Sequence, residues 1–208
     1  KAALRNTMLL ELGEVDLFYL LLKARNTRKG KLPVMELTEL RFYWRQILLC
    51  VAKLHELGIV HCDLKPANFV LFRGRLKLID FGIAVDEAAG EPQTKGTLNY
   101  LSPEVCTGIR EKRVVPAHSG RDVWALGCIL YELAFERPPF KEDKAGRDER
   151  EVQDSMLARI ADPKHEVRYP KCGYPMIEAC IRWCLRYTVE TRATADKLLK
   201  HALAEEPI

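Results

Sequence analysis

Apolar positions recur at helical spacing through "LTELRFYWRQILLCVAKLHELG", where Leu40, Trp44, Ile47, Val51 and Leu54 fall on one face. The pattern predicts a long helix, with Thr38 placed to cap it and Gly58 to stop it. Ahead of it, "TMLLEL", Thr7 to Leu12, is a short apolar run ending at Gly13, readable as a strand or a helix start. "VDLFYLLLKA" reads as a short helix. Beyond Gly58 the pattern changes. "NFVLF" and "RLKLI" are short apolar runs separated by Arg73-Gly74, which predicts a hairpin. Ile83 to Tyr100 shows no period and reads as a long functional loop. "DVWALGCILYELAF" is apolar nearly all round and predicts a buried helix. Helical stretches return near Val152–Ile160, Met176–Leu185 and Ala195–Ala202, and "KEDKAGRDERE" is a polar loop. The expectation is a mainly helical protein with one small hairpin.

Composition narrows the function classes. Among 208 residues, 33 Lys+Arg face 29 Asp+Glu, a net charge of +4, too mild to argue for nucleic acid or a membrane surface. The basic run "KARNTRKGK", Lys23 to Lys31, reads as a solvated loop. Seven cysteines without a CxxC pair or a His cluster point to free thiols in a reducing, intracellular compartment, not to a zinc site. No apolar run reaches membrane-spanning length, and the N-terminus is unlike a signal peptide. Lys1 in place of Met suggests a fragment or processed product.

The chemistry sits in "IVHCDLKPANFVLFRGRLKLIDFG", Ile59 to Gly82. Phosphoryl transfer asks a protein to place a hydroxyl in line, hold magnesium on the phosphates and neutralise developing charge. Asp63 is placed to accept the hydroxyl proton, and Lys65 to reach the transferred phosphate. Asn68 offers a neutral oxygen and Asp80 a charged one, a pair that suits magnesium. The hairpin would bring Asn68 and Asp80 side by side. Each piece alone is weak; "HCDLKPAN", a hairpin and "DFG" in that order are specific.

These motifs resemble the C-terminal lobe of a eukaryotic protein kinase. With "GTLNYLSPE", "DVWALGCILYEL" and "ADPKHEVRYP", the chain is most similar to the monopolar-spindle (TTK) kinases. The resemblance implies an α+β protein-kinase-like fold: a mainly α-helical C-terminal lobe with a small β-hairpin, the N-terminal lobe absent from this chain. Residues 1–13 would be the last strand of the N-terminal lobe and the hinge, and 14–208 the C-terminal lobe, with 80–104 as activation segment. It implies ATP and Mg2+ as cofactors. Glu11, Leu12 and Gly13 match the adenine-binding hinge, with Leu10 at the gatekeeper position. Asp16 matches a ribose-facing position, and Val70 the floor of the adenine pocket. Lys65 after "HCDL" resembles the serine/threonine type of catalytic loop. Thr97 should bond near Asp63 and Lys65, Glu104 should pair with Arg192, and Asp122 should hold the "HCD" turn from below. Thr94, between "DFG" and "SPE", is the candidate phosphorylation site.

The implied activity is transfer of the ATP γ-phosphate to protein serine or threonine hydroxyls, with tyrosine acceptance left open. The setting would be mitotic or spindle-checkpoint. Implied partners are kinetochore or spindle proteins, with no nucleic acid and no membrane, and a nuclear or cytoplasmic location. Two departures stand out. Cys62 occupies the place where most kinases carry Arg, so a phosphate on the segment lacks its usual bidentate anchor. The glycine-rich loop, the ATP-anchoring lysine and its helix glutamate are missing, which makes an inactive isolated lobe the expectation. The competing reading is a non-catalytic, pseudokinase-like or truncated scaffold; intact Asp63, Lys65, Asn68 and Asp80 argue against it.

Overall fold

The computed structural model describes residues 11–28, 30–143 and 146–204. Helix α1 (Leu17–Arg28) starts where Asp16 Oδ1 accepts the Tyr19 N–H at 2.7 Å. It runs past Ala24, its expected end, and absorbs much of the basic run read as a loop. The cations explain the extension: Arg25 reaches Glu132 at 3.2 Å and Arg28 pairs with Glu36, both from the last turn, where the helix dipole favours positive charge. Helix α2 (Leu37–Glu56) has Glu36 at its N-cap and not the expected Thr38; its end is followed by Gly58 at φ +72°. The expected strand at 7–12 and the gatekeeper Leu10 fall mostly or wholly outside the described residues, as does most of the 1–13 boundary.

The expectation of one small hairpin is corrected: the strands form two separate antiparallel pairs. Strands β1 (Ile59–Val60) and β4 (Val85–Asp86) pair Ile59 with Asp86 and Val60 with Val85. Two residues are too few for alternation to register, and their partners lie far apart in sequence. Strands β2 (Phe69–Phe72) and β3 (Arg75–Leu78) form the hairpin, with Phe69 opposite Leu78 and Phe72 opposite Arg75. Its turn places Arg73 at φ +49° and Gly74 at +76°, the positive pair whose twist matches the flanking strands.

Helix α3 (Pro103–Glu111) has no counterpart in the sequence reading; Pro103 opens it without losing a useful donor. Helix α4 (Ser119–Phe135) is buried from Gly120 onward, and α5 (Glu149–Ile160), α6 (Pro175–Cys184) and the short α7 (Ala195–Leu199) follow. The main core joins Trp44, Ile47 and Val51 of α2 to Leu126, Ile129 and Leu133 of α4 and to Ile177 and Ile181 of α6. A second cluster, with Val105, Trp124, Phe140 and Leu157, backs α3 onto α4 and α5. Thus α4 touches both cores, and the chain at His61 and Cys62 lies across its N-terminal end.

Gly127 lets α6 approach that helix. A Cβ there would stand 2.6 Å from the Cys184 Cβ and 2.7 Å from Leu185 Cδ2. Gly127→Ala gains about 1 kcal/mol of helix propensity, but overpacking a closed core costs about 1–3 kcal/mol. The expected outcome in urea denaturation is a lower midpoint; a rise would show that α6 moves away freely.

Candidate functional site

Strand β1 leads into the turn His61-Cys62-Asp63, fastened from below by Asp122. Asp122 is buried near the start of α4. Its Oδ2 accepts the His61 N–H at 2.8 Å and lies 3.0 Å from His55 Nε2, and its Oδ1 accepts the Cys62 N–H at 3.0 Å. The His61 ring lies 3.1 Å through Nε2 from the Ile79 carbonyl oxygen and meets Phe81 edge-on at 5.2 Å. One histidine therefore ties the turn to the end of β3.

Held this way, the Asp63 carboxylate meets two groups. Lys65 Nζ donates to Oδ2 at 2.6 Å, while Thr97 donates its N–H (2.8 Å) and its hydroxyl (2.7 Å) to Oδ1. Lys65 Nζ also lies 3.2 Å from Thr97 Oγ1. Burial, the largest single influence on the carboxyl, pushes it upward, but hydrogen bonds from Lys65 and Thr97 together with the lysine charge prevail. Asp63 is held below the usual carboxylate range.

Asn68 closes a 3-10 turn at residues 66–68 and donates Nδ2 to the Asp63 carbonyl at 2.9 Å, leaving its amide oxygen for another partner. Its own carbonyl accepts the Ile79 N–H at 2.9 Å, so the hairpin brings Asn68 beside Asp80. Asp80 is exposed at φ +63°. One amide oxygen and one carboxylate form a hard-oxygen pair, a fit for magnesium that keeps waters and phosphate oxygens as its other ligands. Among the described residues no cluster of three His, Cys, Asp or Glu could hold a metal unaided.

The residues expected around a nucleotide lie on the other side of β2. Asp16 and Val70 form an isolated bridge, Leu71 donates to Val15 at 2.7 Å, and Glu14 donates to Leu71 at 2.8 Å. Gly13 is pressed onto Val70, whose Cγ1 would lie 2.1 Å from any Cβ at that position. One Asp16 oxygen caps α1, Glu11 pairs with Lys77, and Leu12 is exposed. Gly13, Asp16 and Val70 are thus brought together, with Glu11 and Leu12 at their solvent edge.

At the far end, Arg192 donates Nη1 to Glu104 Oε1 at 2.9 Å and Nη2 to Oε2 at 2.7 Å. It also donates to the carbonyls of Gly120, Arg186 and Tyr187 and stacks 5.2 Å from the Trp124 ring. The Arg192 side chain is 1% exposed and Glu104 24%. For Glu104, burial pushes upward, but Arg192 outweighs it and holds the carboxyl below its ordinary range.

Sequence reasoning missed three groups. Arg121 is buried beside Asp122 and donates to the carbonyls of Gln93, Lys95 and Cys62. Glu132, also buried, accepts from the Tyr100 hydroxyl at 2.6 Å and from Arg25. His55 and His61 bracket the turn. The signal was present: charges inside an all-apolar helix must find partners.

A family model described as "Protein kinase domain" matches residues 5–204. The chain is 42% identical over 202 residues to serine/threonine-protein kinase MPS1 of Encephalitozoon cuniculi, covering 93% of the chain and 30% of that relative. It is 39% identical over 180 residues to serine/threonine-protein kinase mph1 of Schizosaccharomyces pombe (81% and 24%). To dual specificity protein kinase TTK of Mus musculus it is 34% identical over 207 residues (93% and 22%). The chain thus spans 22% to 30% of the length of these curated relatives. The match corrects the expectation of a C-terminal lobe alone, with the N-terminal lobe absent. The whole-domain family model takes in nearly the entire chain, so the assignment is to a single kinase-like domain with a β-structured part, β1 to β4, and a helical part. The expectation of an inactive isolated lobe rested on the overturned premise.

Removing one partner of the Arg192–Glu104 pair strands a carboxylate. Arg192→Ala is expected to lower unfolding free energy by about 3–5 kcal/mol, read from chemical denaturation at neutral pH. The pH dependence has a definite sign. Because the folded Glu104 carboxyl is depressed, its contribution is full above the unfolded carboxylate value, about 4.3, and is lost as pH falls through the folded value. The Arg192→Ala protein should lose that part of the acid sensitivity. Parent-like unfolding at neutral pH, together with a parent-like loss of stability in acid, would show that the pair carries little.

Proposed function

The chain belongs to the protein kinase domain family and is a protein kinase catalytic domain; from that premise we propose that the protein transfers the γ-phosphoryl group of ATP to serine and threonine hydroxyls of other proteins. The observation that carries the reading is the joint hold of Lys65 and Thr97 on the Asp63 carboxylate, beside Asn68 and Asp80.

Roles follow from the geometry. Asp63 keeps its negative charge and orients the incoming hydroxyl by accepting its hydrogen bond. A carboxylate held below its ordinary range is a weak base toward a neutral alcohol. The proton therefore moves to it late, as the new O–P bond forms and the bond to the ADP oxygen breaks; a loose transition state permits this order. Lys65, fixed by Asp63 and Thr97, carries the positive charge that meets the transferred phosphoryl oxygens. Asn68 and Asp80 would hold magnesium, which supplies charge neutralisation on the phosphates when bound. Glu11 to Gly13, Asp16 and Val70 would seat adenine and ribose. Thr94, in the 80–104 activation segment, would accept a phosphate.

The same proposal includes a mitotic, spindle-checkpoint setting, with kinetochore or spindle proteins as partners and a nuclear or cytoplasmic location. It is supported by the resemblance and by relatives named MPS1 and TTK. Among the described residues, no helix is long and apolar enough to cross a membrane.

The test is the full-length protein with ATP, magnesium and a generic protein substrate. Asp63→Ala is expected to lower turnover by about 10²–10⁴-fold, and Asp80→Ala to abolish it by removing a magnesium ligand. Mass spectrometry should find phosphate on Thr94 in active protein. A parent that phosphorylates nothing while folding normally would favour the scaffold reading.

A further inference from the structure

Thr94 lies between the two residues whose carbonyls Arg121 holds. Arg121 Nη1 donates to the Gln93 carbonyl, and Nη2 donates to the Lys95 carbonyl at 2.8 Å and to the Cys62 carbonyl at 3.4 Å. Arg121 is 5% exposed, and its guanidinium offers a fixed fork of donors. It therefore joins both sides of Thr94 to the catalytic turn from beneath. Position 62 carries a cysteine, with no guanidinium of its own, and the guanidinium that reaches the turn enters from α4.

We infer that Arg121 is an internal clamp that positions the activation segment for phosphoryl transfer without a phosphate on Thr94. This rests on the reading of Asp63 as the group that meets the acceptor hydroxyl. The segment is continuous from clamp to carboxylate. Gln93 is pinned by its N–H to Val115 at 3.0 Å and by its side chain to the Ile83 carbonyl at 3.2 Å. The Lys95 N–H returns to Gln93 Oε1 at 3.0 Å. Gly96, at φ +144°, passes so close to the turn that a Cβ would lie 2.9 Å from the Cys62 carbonyl oxygen and 2.9 Å from Leu101 Cδ2. Thr97 then delivers its N–H and hydroxyl to Asp63. Both Nη2 hydrogens of Arg121 already have backbone acceptors, so the arginine is engaged with the chain itself. Arg121 touches no reacting atom; it is a positioning residue, acting through Thr97 on Asp63.

The experiment compares parent, Arg121→Gln, Arg121→Lys and Gly96→Ala full-length proteins, each before and after phosphatase treatment. Steady-state kinetics and amide hydrogen exchange are the readouts. Arg121→Gln is expected to lower kcat at least tenfold with KM for ATP unchanged, and to speed exchange at the Gln93, Lys95 and Thr97 amides while α2 and α6 keep parental protection. Arg121→Lys should recover part of kcat, since an ammonium can serve some of the same carbonyls. Gly96→Ala, which crowds the segment against the Cys62 carbonyl and against Leu101 of the second core cluster, should reproduce the kcat defect while α2 and α6 keep parental protection. Phosphatase-treated parent and Thr94→Ala should keep kcat within about twofold of parent, a tolerance well below one tenfold step of 1.4 kcal/mol. A phosphatase-induced loss as large as that of Arg121→Gln would overturn the proposal in favour of a phosphate-dependent segment. So would an Arg121→Gln protein that melts earlier yet keeps parental kcat per folded molecule. If the parent itself transfers nothing, the kinase reading falls and exchange alone judges the clamp. Unchanged protection at residues 93–97 in Arg121→Gln would then overturn it.

Discussion

Cys62 sits at φ +71°, in the left-handed region that a residue with a Cβ rarely enters, at a cost of about 1–3 kcal/mol. It stays there because its N–H and that of His61 both end on the buried Asp122 carboxylate. Take that carboxylate away and two buried N–H groups lose their acceptor while a strained turn loses its reason to persist. Everything downstream is aimed by this turn. It sets the direction of Asp63, hence the reach of Lys65 and the place where Thr97 must arrive. It also puts the Asp63 carbonyl where Asn68 can donate to it.

Much of this was legible in the sequence because it depends on local order. The long helix, the buried helix and the Arg73-Gly74 hairpin follow from period and turn chemistry, and the hairpin alone forces Asn68 next to Asp80. What stayed hidden has long-range causes. The two-residue strands β1 and β4 exist only because each finds the other across 25 residues of chain, and neither has a period of its own. Helix α1 outruns its apolar pattern because Arg25 and Arg28 find carboxylates on Glu132 and Glu36. The extent of the domain was misjudged for a different reason. Missing motifs near the start were read as a missing lobe, whereas the match to the kinase domain runs from residue 5 to 204.

The site's electrostatics resolve an apparent conflict. A partly buried carboxylate would ordinarily gain proton affinity, which suits a base but leaves it protonated part of the time. Lys65 and Thr97 reverse the balance and keep Asp63 charged. The arrangement gives up base strength for a permanent charge and a fixed direction. In the proposed phosphoryl transfer, whose transition state makes little demand on proton transfer, direction is the larger contribution. Lys65 gains as well, because its ammonium is held by the carboxylate and the threonine instead of roaming on a flexible stem.

Helix α4 unites these effects. Buried almost throughout, it carries three charges inside an apolar shell: Arg121, Asp122 and Glu132. Eleven residues separate Arg121 from Glu132, about three helical turns or 16 Å, so both project from nearly the same face. That face meets the activation segment at two points. Arg121 takes the carbonyls around Thr94, and Glu132 takes the Tyr100 hydroxyl just past Thr97, with Arg25 balancing its charge. Asp122 lies about a quarter turn around the helix and faces the catalytic turn instead. A rigid core helix therefore fixes the segment on both sides of Thr97 and the turn beneath Asp63 at once. The Thr97–Asp63 contact is the closure of that frame: two pieces of chain meet because one helix holds both.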